Sequence, residues 1–353
     1  MINTISKVKN IIPEDFDGVL ITNPSDLTYL SDMVGVEGFI LVTREKAFLY
    51  TDGRYIETAE KTVDFMEVSL LKRGVTPFTA SADNKCKRVC CQGSISASQL
   101  SSLNDKGDIS FNIDAQFDAA LSQIRKVKGI REISRMKQAQ EITDLAFAHV
   151  LKIINVGMSE RELAAELDYF MRKNGSDGIA FDTIAISGEN TSLPHGIPTD
   201  RKIENGDFVT MDFGATVKGV KSDMTRTVAV GSIDTHKKEI YNIVLKAQTE
   251  TLKALKAGMS CKDADGIARG VIEKDGYGEY FTHSTGHGVG FDIHELPNLS
   301  PASTDILRVG NVVTVEPGIY LPGEFGVRIE DYGVITENGF ENFTKSPKEL
   351  IVL

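Results

Sequence analysis

The N-terminal part of the chain alternates short apolar runs with turn residues. Three runs, at 18–22, 38–43 and 47–51, are rich in β-branched and aromatic side chains and are bounded by Asn-Pro, Gly or Asp, which predicts three β-strands. Segments 71–83 and 106–114 are less periodic, and no element is predicted in them. The pattern indicates a small α/β domain.

A helical periodicity then replaces this pattern. Over 132–153 apolar side chains recur at intervals of three and four, so that one stripe of a helix faces a core. Ser159 and Glu162 have the spacing of a capping box, which predicts a second helix that ends at Asn174-Gly175. Two further helices are predicted over 237–256 and 262–275.

The polar segment 125–129 separates the two patterns. We therefore predict two domains, 1–125 and 126–353, and the length of 353 residues agrees with roughly 100–200 residues per domain. Because 41% of the residues are hydrophobic and 25% are charged, the composition is that of a globular protein with an apolar core.

The charge balance argues against nucleic acid as a binding partner. The chain has 50 acidic and 39 basic residues, a net charge of −11, whereas nucleic-acid binding depends on clustered Lys and Arg. No run approaches the roughly 18–20 apolar residues of a membrane span, and the N-terminus lacks the basic and apolar regions of a signal peptide. The four cysteines lack zinc-site spacing and are expected to be reduced, buried thiols, although a redox role for the adjacent Cys90 and Cys91 stays open. We therefore expect a cytoplasmic protein that binds neither nucleic acid nor membranes.

Two carboxylates lie on the first predicted hairpin of the second domain. The run 208–214 alternates apolar and polar side chains, and the following strand, 220–230, carries Asp223. The midpoint of Asp212 and Asp223 falls beside the turn residue Gly219. A simple hairpin therefore places the two carboxylates nearly opposite each other, with Cβ atoms roughly 5 Å apart.

The same arrangement recurs near the C-terminus. A strand over 311–316, turn residues over 317–325 and a strand over 327–335 place Glu316 across from Glu330. Like charges directly opposite each other are destabilising, so a cation is expected between them. A pair of divalent metal ions is the natural candidate.

A nitrogen ligand is available between the two hairpins. The segment 281–297 contains His283, His287 and His294, together with glycines that allow close approach of backbone and ligand. Four carboxylates and one imidazole suit Mn²⁺, with Co²⁺, Fe²⁺ or Zn²⁺ also possible. Two such ions that share a water supply a nucleophile at neutral pH and polarise a carbonyl, which indicates metal-assisted hydrolysis.

Six motifs follow one another in the second domain: Ser192-Leu-Pro-His195-Gly, Met211-Asp212-Phe-Gly214-Ala, Ser222-Asp223-Met-Thr-Arg226-Thr, Gly286-His287-Gly288-Val-Gly290, Val315-Glu316-Pro-Gly318 and Val327-Arg328-Ile-Glu330-Asp331. As an ordered set they resemble the motifs of the pita-bread metallopeptidases and, within that family, of the Xaa-Pro peptidases, which comprise aminopeptidase P and prolidase (Xaa-Pro dipeptidase). Segment 23–55 is similar to the creatinase-like N-terminal domain of those enzymes. The resemblance covers essentially the whole chain.

The resemblance implies a ligand set for two metal ions. Asp212, Asp223, His287, Glu316 and Glu330 match the five ligands of the family, and none of them is substituted. Glu316 also matches the ligand that is proposed as the general base toward the bridging water.

Other residues match by the same resemblance. His195 and His294 correspond to histidines that hydrogen-bond the substrate carbonyl and the tetrahedral intermediate, and His283 is expected to line the pocket. Arg328 is expected to brace the carboxylates. The implied fold is an α/β N-terminal domain followed by an α+β pita-bread domain, in which a pseudo-twofold axis relates two helix-and-hairpin halves, and the implied assembly is a homodimer.

The activity implied is hydrolysis of the bond between an N-terminal residue and a following proline, by an Xaa-Pro aminopeptidase or dipeptidase. Asn298 follows His294-Glu295-Leu-Pro297, where some prolidases have a basic residue suited to the carboxylate of a dipeptide, and this favours longer peptides. A non-catalytic binding paralogue and a methionine-type aminopeptidase are the alternatives. The retained ligands argue against the former and the N-terminal domain against the latter. Supporting roles for Asp182 and Thr225, and a structural ion pair at Arg226, remain open.

Overall fold

The computed structural model describes residues 2–353, with side chains from residue 4 onward. The chain divides between Arg125 and Lys126 into two compact units. The helices are α1 Ile2–Asn10, α2 Pro24–Ser31, α3 Ile56–Thr62, α4 Pro77–Asp83, α5 Ala97–Asn104, α6 Ala115–Lys126, α7 Ile130–Val150, α8 Glu160–Lys173, α9 Thr235–Ala254 and α10 Cys261–Lys274.

The strands of the first unit are β1 Gly18–Ile21, β2 Gly38–Thr43, β3 Ala47–Thr51, β4 Glu67–Leu70, β5 Arg88–Cys91 and β6 Ser110–Ile113. Those of the second are β7 Gly178–Ile179, β8 Ile184–Ser187, β9 Phe208–Phe213, β10 Ala215–Val217, β11 Val220–Lys221, β12 Met224–Ala229, β13 Gly286–Gly288, β14 Glu295–Leu299, β15 Val312–Val315, β16 Gly318–Leu321, β17 Phe325–Arg328, β18 Asp331–Thr336 and β19 Gly339–Asn342.

The first unit is built on a mixed six-stranded sheet in the order β4-β3-β2-β1-β5-β6. Its three predicted strands are β1, β2 and β3. The less periodic segments contain α4 and β6, and β6 escaped prediction because Phe111 is its one fully buried side chain. Alternation cannot mark a strand that presents so little apolar surface.

The predicted helices of the second unit are present. Ser159 accepts a hydrogen bond from the Glu162 amide at 3.2 Å, and Glu162 accepts one from the Ser159 amide at 2.7 Å, so the capping box begins α8 as expected. Helix α7 ends at Val150, three residues before the end of the predicted stripe. Helix α9 begins at Thr235 because Asp234 caps the Lys237 amide at 2.8 Å.

The first hairpin has a different register from the predicted one. Asp212 pairs with Thr225, and continuation of that register places Asp223 opposite Gly214. The reason is the turn, whose two central residues, Lys218 and Gly219, both have positive φ, which shifts the pairing by two residues. The two aspartates, predicted to lie nearly opposite each other, are therefore two residues apart in register and lie on a diagonal. A shift of two preserves the face, so both carboxylates still point to the same side.

The second hairpin keeps the predicted register. Val315 pairs with Asp331 and Gly318 pairs with Arg328, so Glu316 and Glu330 face each other across the break between the two ladders. The segment 317–325, in which the sequence analysis noted turn residues and no strand, also contains β16. Pro317 and the glycines masked a strand whose backbone pairs fully with β17.

Each hairpin carries two helices on its outer side. One apolar core joins α7 and α8 to β9 and β12, and includes Leu163, Leu167, Met211 and Phe213. Two further clusters join α9 and α10 to the strands of the second hairpin. The helix-and-hairpin design thus occurs twice. Among residues 2–353, no helix is both long enough and apolar enough to cross a membrane.

Arg226 belongs to the structural core. Its guanidinium pairs with Asp331 at 2.7 Å, and the side chains of the two residues are 1% and 0% exposed. It also donates to the carbonyls of Ser346 and Pro347, which ties the C-terminal segment to β12. The structure therefore assigns this arginine to the ion pair that the sequence left open.

We predict that Arg226→Met destabilises the metal-free protein by about 3 kcal/mol, because it leaves a buried carboxylate without its arginine. Denaturant unfolding measures the loss. Arg161→Met is the matched control, since the Arg161–Asp200 pair is exposed, and it should change the stability by less than about 0.5 kcal/mol. Equal effects of the two substitutions would contradict the assignment.

Candidate metal centre and active site

Every site residue predicted from the sequence lines one cavity of about 790 Å³ in the second unit. These nine residues are His195, Asp212, Asp223, His283, His287, His294, Glu316, Arg328 and Glu330. They come from β8–β9, both hairpins and the histidine segment, stretches that are far apart in the chain. The remaining wall is largely apolar and includes Phe181, Ile184, Ile197 and Ile293.

His287 lies at the centre of the carboxylates. Its Nε2 is 3.5 Å from Asp223 Oδ2 and 3.3 Å from Glu316 Oε1. One ligand atom each of Asp223, His287 and Glu330 lie within 4.8 Å of one another. The acidic side chains of Asp223, Glu316 and Glu330, which come from the two hairpins, therefore lie close to one imidazole.

The hydrogen bonds of His287 fix which nitrogen faces the carboxylates. Nδ1 lies 3.1 Å from the Gly288 carbonyl and must donate to it, and burial lowers the pKa of His287 to about 4, so the ring is neutral at neutral pH. Nε2 thus presents its lone pair toward Asp223 and Glu316. A lone pair aimed at two carboxylates is unfavourable unless a proton or a metal ion lies between them, and this is the arrangement of a metal-binding histidine.

The buried carboxylates also favour a bound cation. Burial, reinforced by neighbouring carboxylates, raises the pKa values of Asp223 and Glu330 well above their usual range. Burial also raises the pKa of Glu316 to about 8, despite the opposing effect of Arg328. Thr225 donates to Glu330 at 2.6 Å, which gives this threonine the supporting role that the sequence left unranked.

The two carboxylate oxygens of Asp212 differ in their hydrogen bonds. Oδ2 accepts a hydrogen bond from Arg328 Nη2 at 2.7 Å, whereas Oδ1 is buried and has no hydrogen-bond partner among residues 2–353. Buried polar atoms are nearly always paired, so an unpaired carboxylate oxygen in this cavity indicates a ligand position. Four carboxylates and one imidazole fit hard divalent ions, and five ligands suit two ions better than one.

Arg328 connects the carboxylates to the cavity wall. Besides Asp212 it donates to Thr225 Oγ1 at 3.0 Å, to the Pro194 carbonyl at 3.2 Å and to the Tyr320 hydroxyl at 2.9 Å. Its contact to Glu330 runs through Thr225. The bracing that was expected of Arg328 is thus directed mainly at Asp212.

Tyr320 is a site residue that the sequence analysis missed. His283 Nδ1 donates to the Ser284 carbonyl at 2.8 Å, so Tyr320 donates its hydroxyl hydrogen to His283 Nε2, also at 2.8 Å. A Cβ at Gly318 or Gly326 would come within 2.8 Å of the tyrosine side chain, so both glycines make room for it. An aromatic residue between two such glycines was the available signal.

Helix α10 supports the histidine segment, and this is a second feature that the sequence analysis missed. Arg269 pairs with Asp265 at 2.8 Å and donates to the carbonyls of Phe281 and His283. Asp265 also accepts from the Thr285 amide at 3.0 Å. These contacts position the backbone immediately before His287.

His195 and His294 lie at the more open side of the cavity. His195 is exposed on the loop after β8, and the His294 ring lies 4.4 Å from the His287 ring, centroid to centroid, at 74°. Burial, aided by His195, lowers the pKa of His294. Asp182 is exposed at the rim of the same cavity.

Comparison with known proteins identifies the family. Residues 134–337 match metallopeptidase family M24, and residues 9–127 match the creatinase/prolidase N-terminal domain. The chain belongs to metallopeptidase family M24. The predicted resemblance, the mixed fold and the assignment as a metallopeptidase are thereby confirmed.

Several M24 relatives match over nearly their whole length. The chain is 40% identical to a Xaa-Pro dipeptidase of Pyrococcus horikoshii, over 98% of both chains. It is 41% identical to the solved structure of a Xaa-Pro dipeptidase from Bacillus anthracis, with a TM-score of 0.95 over 99% of both chains. An X-Pro aminopeptidase structure from Thermotoga maritima is 38% identical, with a TM-score of 0.91 over 98% of this chain and 100% of that one.

We predict that divalent metal binding near neutral pH releases at least one proton per chain. Glu316, whose pKa is raised to about 8, holds a proton in the metal-free protein, and a metal ion displaces it. Calorimetric titration with Mn²⁺ in buffers of different ionisation enthalpy counts the protons. The count should fall as the pH rises past 8, because Glu316 is then already ionised. Binding without proton release at pH 7 would contradict this account of the site.

Proposed function

We propose that this M24 protein is a dinuclear-metal peptidase that hydrolyses the bond between an N-terminal residue and a following proline. The observation that carries the proposal is the position of His287, whose Nε2 lies 3.5 Å from Asp223 and 3.3 Å from Glu316 in a cavity that His195 and His294 also line. The Xaa-Pro dipeptidase and X-Pro aminopeptidase relatives support the substrate class.

The ligands proposed for the two ions are Asp212, Asp223, His287, Glu316 and Glu330. When bound, the ions supply a nucleophilic water at neutral pH and polarise the scissile carbonyl. Glu316 would act as the general base that accepts the proton of the attacking water, since its carboxylate borders the centre beside His287.

The histidines act on the substrate. His195 and His294 donate hydrogen bonds to the substrate oxygen that gains negative charge in the tetrahedral intermediate, an effect that typically accounts for about 10²–10³ in rate. His283, held by Tyr320 and the Ser284 carbonyl, fixes the cavity wall beside them. Arg328 keeps Asp212 Oδ2 in place and leaves Oδ1 free for a ligand.

The charges of the cavity favour peptides longer than two residues. Among the side chains that line it in the described part of the chain, Arg328 is the sole lysine or arginine, and its guanidinium is already bonded to Asp212, Thr225 and Tyr320. Asn298 also lines the cavity and carries no charge. The carboxylate of a dipeptide therefore lacks a cationic partner there, whereas a longer peptide carries its carboxylate farther away.

Further properties belong to the same proposal. Mn²⁺ is the proposed metal because the ligand set is rich in oxygen. We also propose a creatinase-like N-terminal domain at 1–125, a catalytic domain at 126–353, a homodimer and a cytoplasmic location. The four cysteines are free and buried, which agrees with a reducing compartment.

We predict that Mn²⁺-loaded protein releases alanine from Ala-Pro-Ala and cleaves Ala-Pro more slowly, because the dipeptide leaves its carboxylate unpaired. Chromatographic product analysis with Ala-Ala-Ala and Met-Ala-Ser as control peptides checks this. Cleavage of Met-Ala-Ser alone would indicate a methionine-type aminopeptidase. Full metal occupancy without cleavage of any proline peptide would indicate a non-catalytic binding protein.

A further inference from the structure

We propose that Glu160, the first residue of α8, is a positioning residue that holds the His195 loop (residues 188–198) in the orientation that catalysis needs. The inference rests on the proposed function, because it takes His195 to contact the substrate. Glu160 belongs to none of the motifs discussed above and lies outside the cavity lining.

The carboxylate of Glu160 ties the two ends of this loop together. On the side where the loop begins, Oε1 accepts hydrogen bonds from the Ser187 amide at 2.7 Å and from Asn190 Nδ2 at 3.0 Å. On the side where it ends, Oε2 accepts from the Thr199 amide at 2.9 Å and from the Thr199 hydroxyl at 2.7 Å. One side chain thus fixes the separation of the two loop ends.

The surroundings of Glu160 supply hydrogen-bond donors to its carboxylate. The residue is 1% exposed and lies at the N-terminus of α8, where the helix dipole stabilises negative charge. Arg201 reinforces the cluster, since it donates to Ser187 Oγ at 2.8 Å and pairs with Asp207 at 2.6 Å. Every group bonded to the Glu160 carboxylate is a donor, so the site requires a side chain that only accepts.

The middle of the loop is tied to the second hairpin. Arg328 donates to the carbonyl of Pro194, the residue before His195, at 3.2 Å, and the Gly326 amide donates to Thr191 Oγ1 at 2.8 Å. The loop gains little from apolar packing, because Leu193 is 55% exposed and Ile197 is 81% exposed. Its position therefore depends on polar contacts, with Glu160 at the ends and β17 in the middle.

Glu160→Gln tests the proposal, because glutamine has a similar size but opposes some of the donors with its own amide hydrogens. We expect kcat/KM for Ala-Pro-Ala to fall by about 10²-fold, mainly through kcat, since misplacement of a catalytic group by about 1 Å has an effect of that size. The metal content should not change. Glu162→Gln is the matched control: Glu162 lies on the same turn, is exposed, caps the helix and should leave activity unaltered.

A double-mutant cycle with His195→Ala separates positioning from general damage. If Glu160 acts through the loop, Glu160→Gln costs far less activity in the His195→Ala background than in the wild type. An equal loss in both backgrounds would overturn the proposal. Should Glu160→Gln fail to fold, Thr199→Val removes one hydroxyl donor and is expected to give the same pattern at smaller amplitude.

Hydrogen exchange tests the loop even if no peptide is cleaved. Amides within 188–198 should exchange faster in Glu160→Gln than in the wild type or Glu162→Gln, with no change in the hairpins. Unaltered exchange in 188–198 would refute the proposal. A wild-type protein that is inactive on all proline peptides would instead refute the proposed function, so the two failures are distinguishable.

Discussion

Mutual repulsion among buried carboxylates is the constraint on which the catalytic unit depends. Asp223 and Glu330 are almost fully buried, and the lone pair of His287 points toward Asp223 and Glu316. Two like charges at 4 Å repel each other by about 4 kcal/mol at an effective dielectric constant of 20. Among these carboxylates, Arg328 forms a direct ion pair with Asp212. The fold is therefore stable around this cluster only when protons or metal ions occupy it, and at neutral pH metal ions are the stronger competitor.

In both hairpins the regular strand pairing is interrupted at ligand residues. Asp223 lies between β11 and β12, and Glu316 and Glu330 lie where the β15–β18 ladder gives way to the β16–β17 ladder. At a break the backbone is released from strict alternation, so acidic side chains can converge on one point. The cluster of charged residues buries little apolar surface, so the apolar core lies between each hairpin and its pair of helices.

Local signals predicted much of this arrangement, and distant contacts account for what they missed. The capping box at Ser159 and the first strands depend on neighbouring residues, and a metal centre followed from the spacing of acidic residues and the family motifs. The exact pairing of Asp212 was mispredicted because the register depends on the turn at Lys218, not on the midpoint between Asp212 and Asp223. Tyr320 and Glu160 act through groups that only the folded chain brings near them, so no local pattern predicts their contacts, although the glycines around Tyr320 were a signal for that residue.

A crystal structure of the protein grown with Mn²⁺, with anomalous data collected at the manganese edge, tests the central claim most directly. The account predicts two anomalous peaks about 3.5–4 Å apart, within coordinating distance of Asp212, Asp223, His287, Glu316 and Glu330. No peak among these side chains, or a single fully occupied ion with Asp212 left unbound, would contradict it.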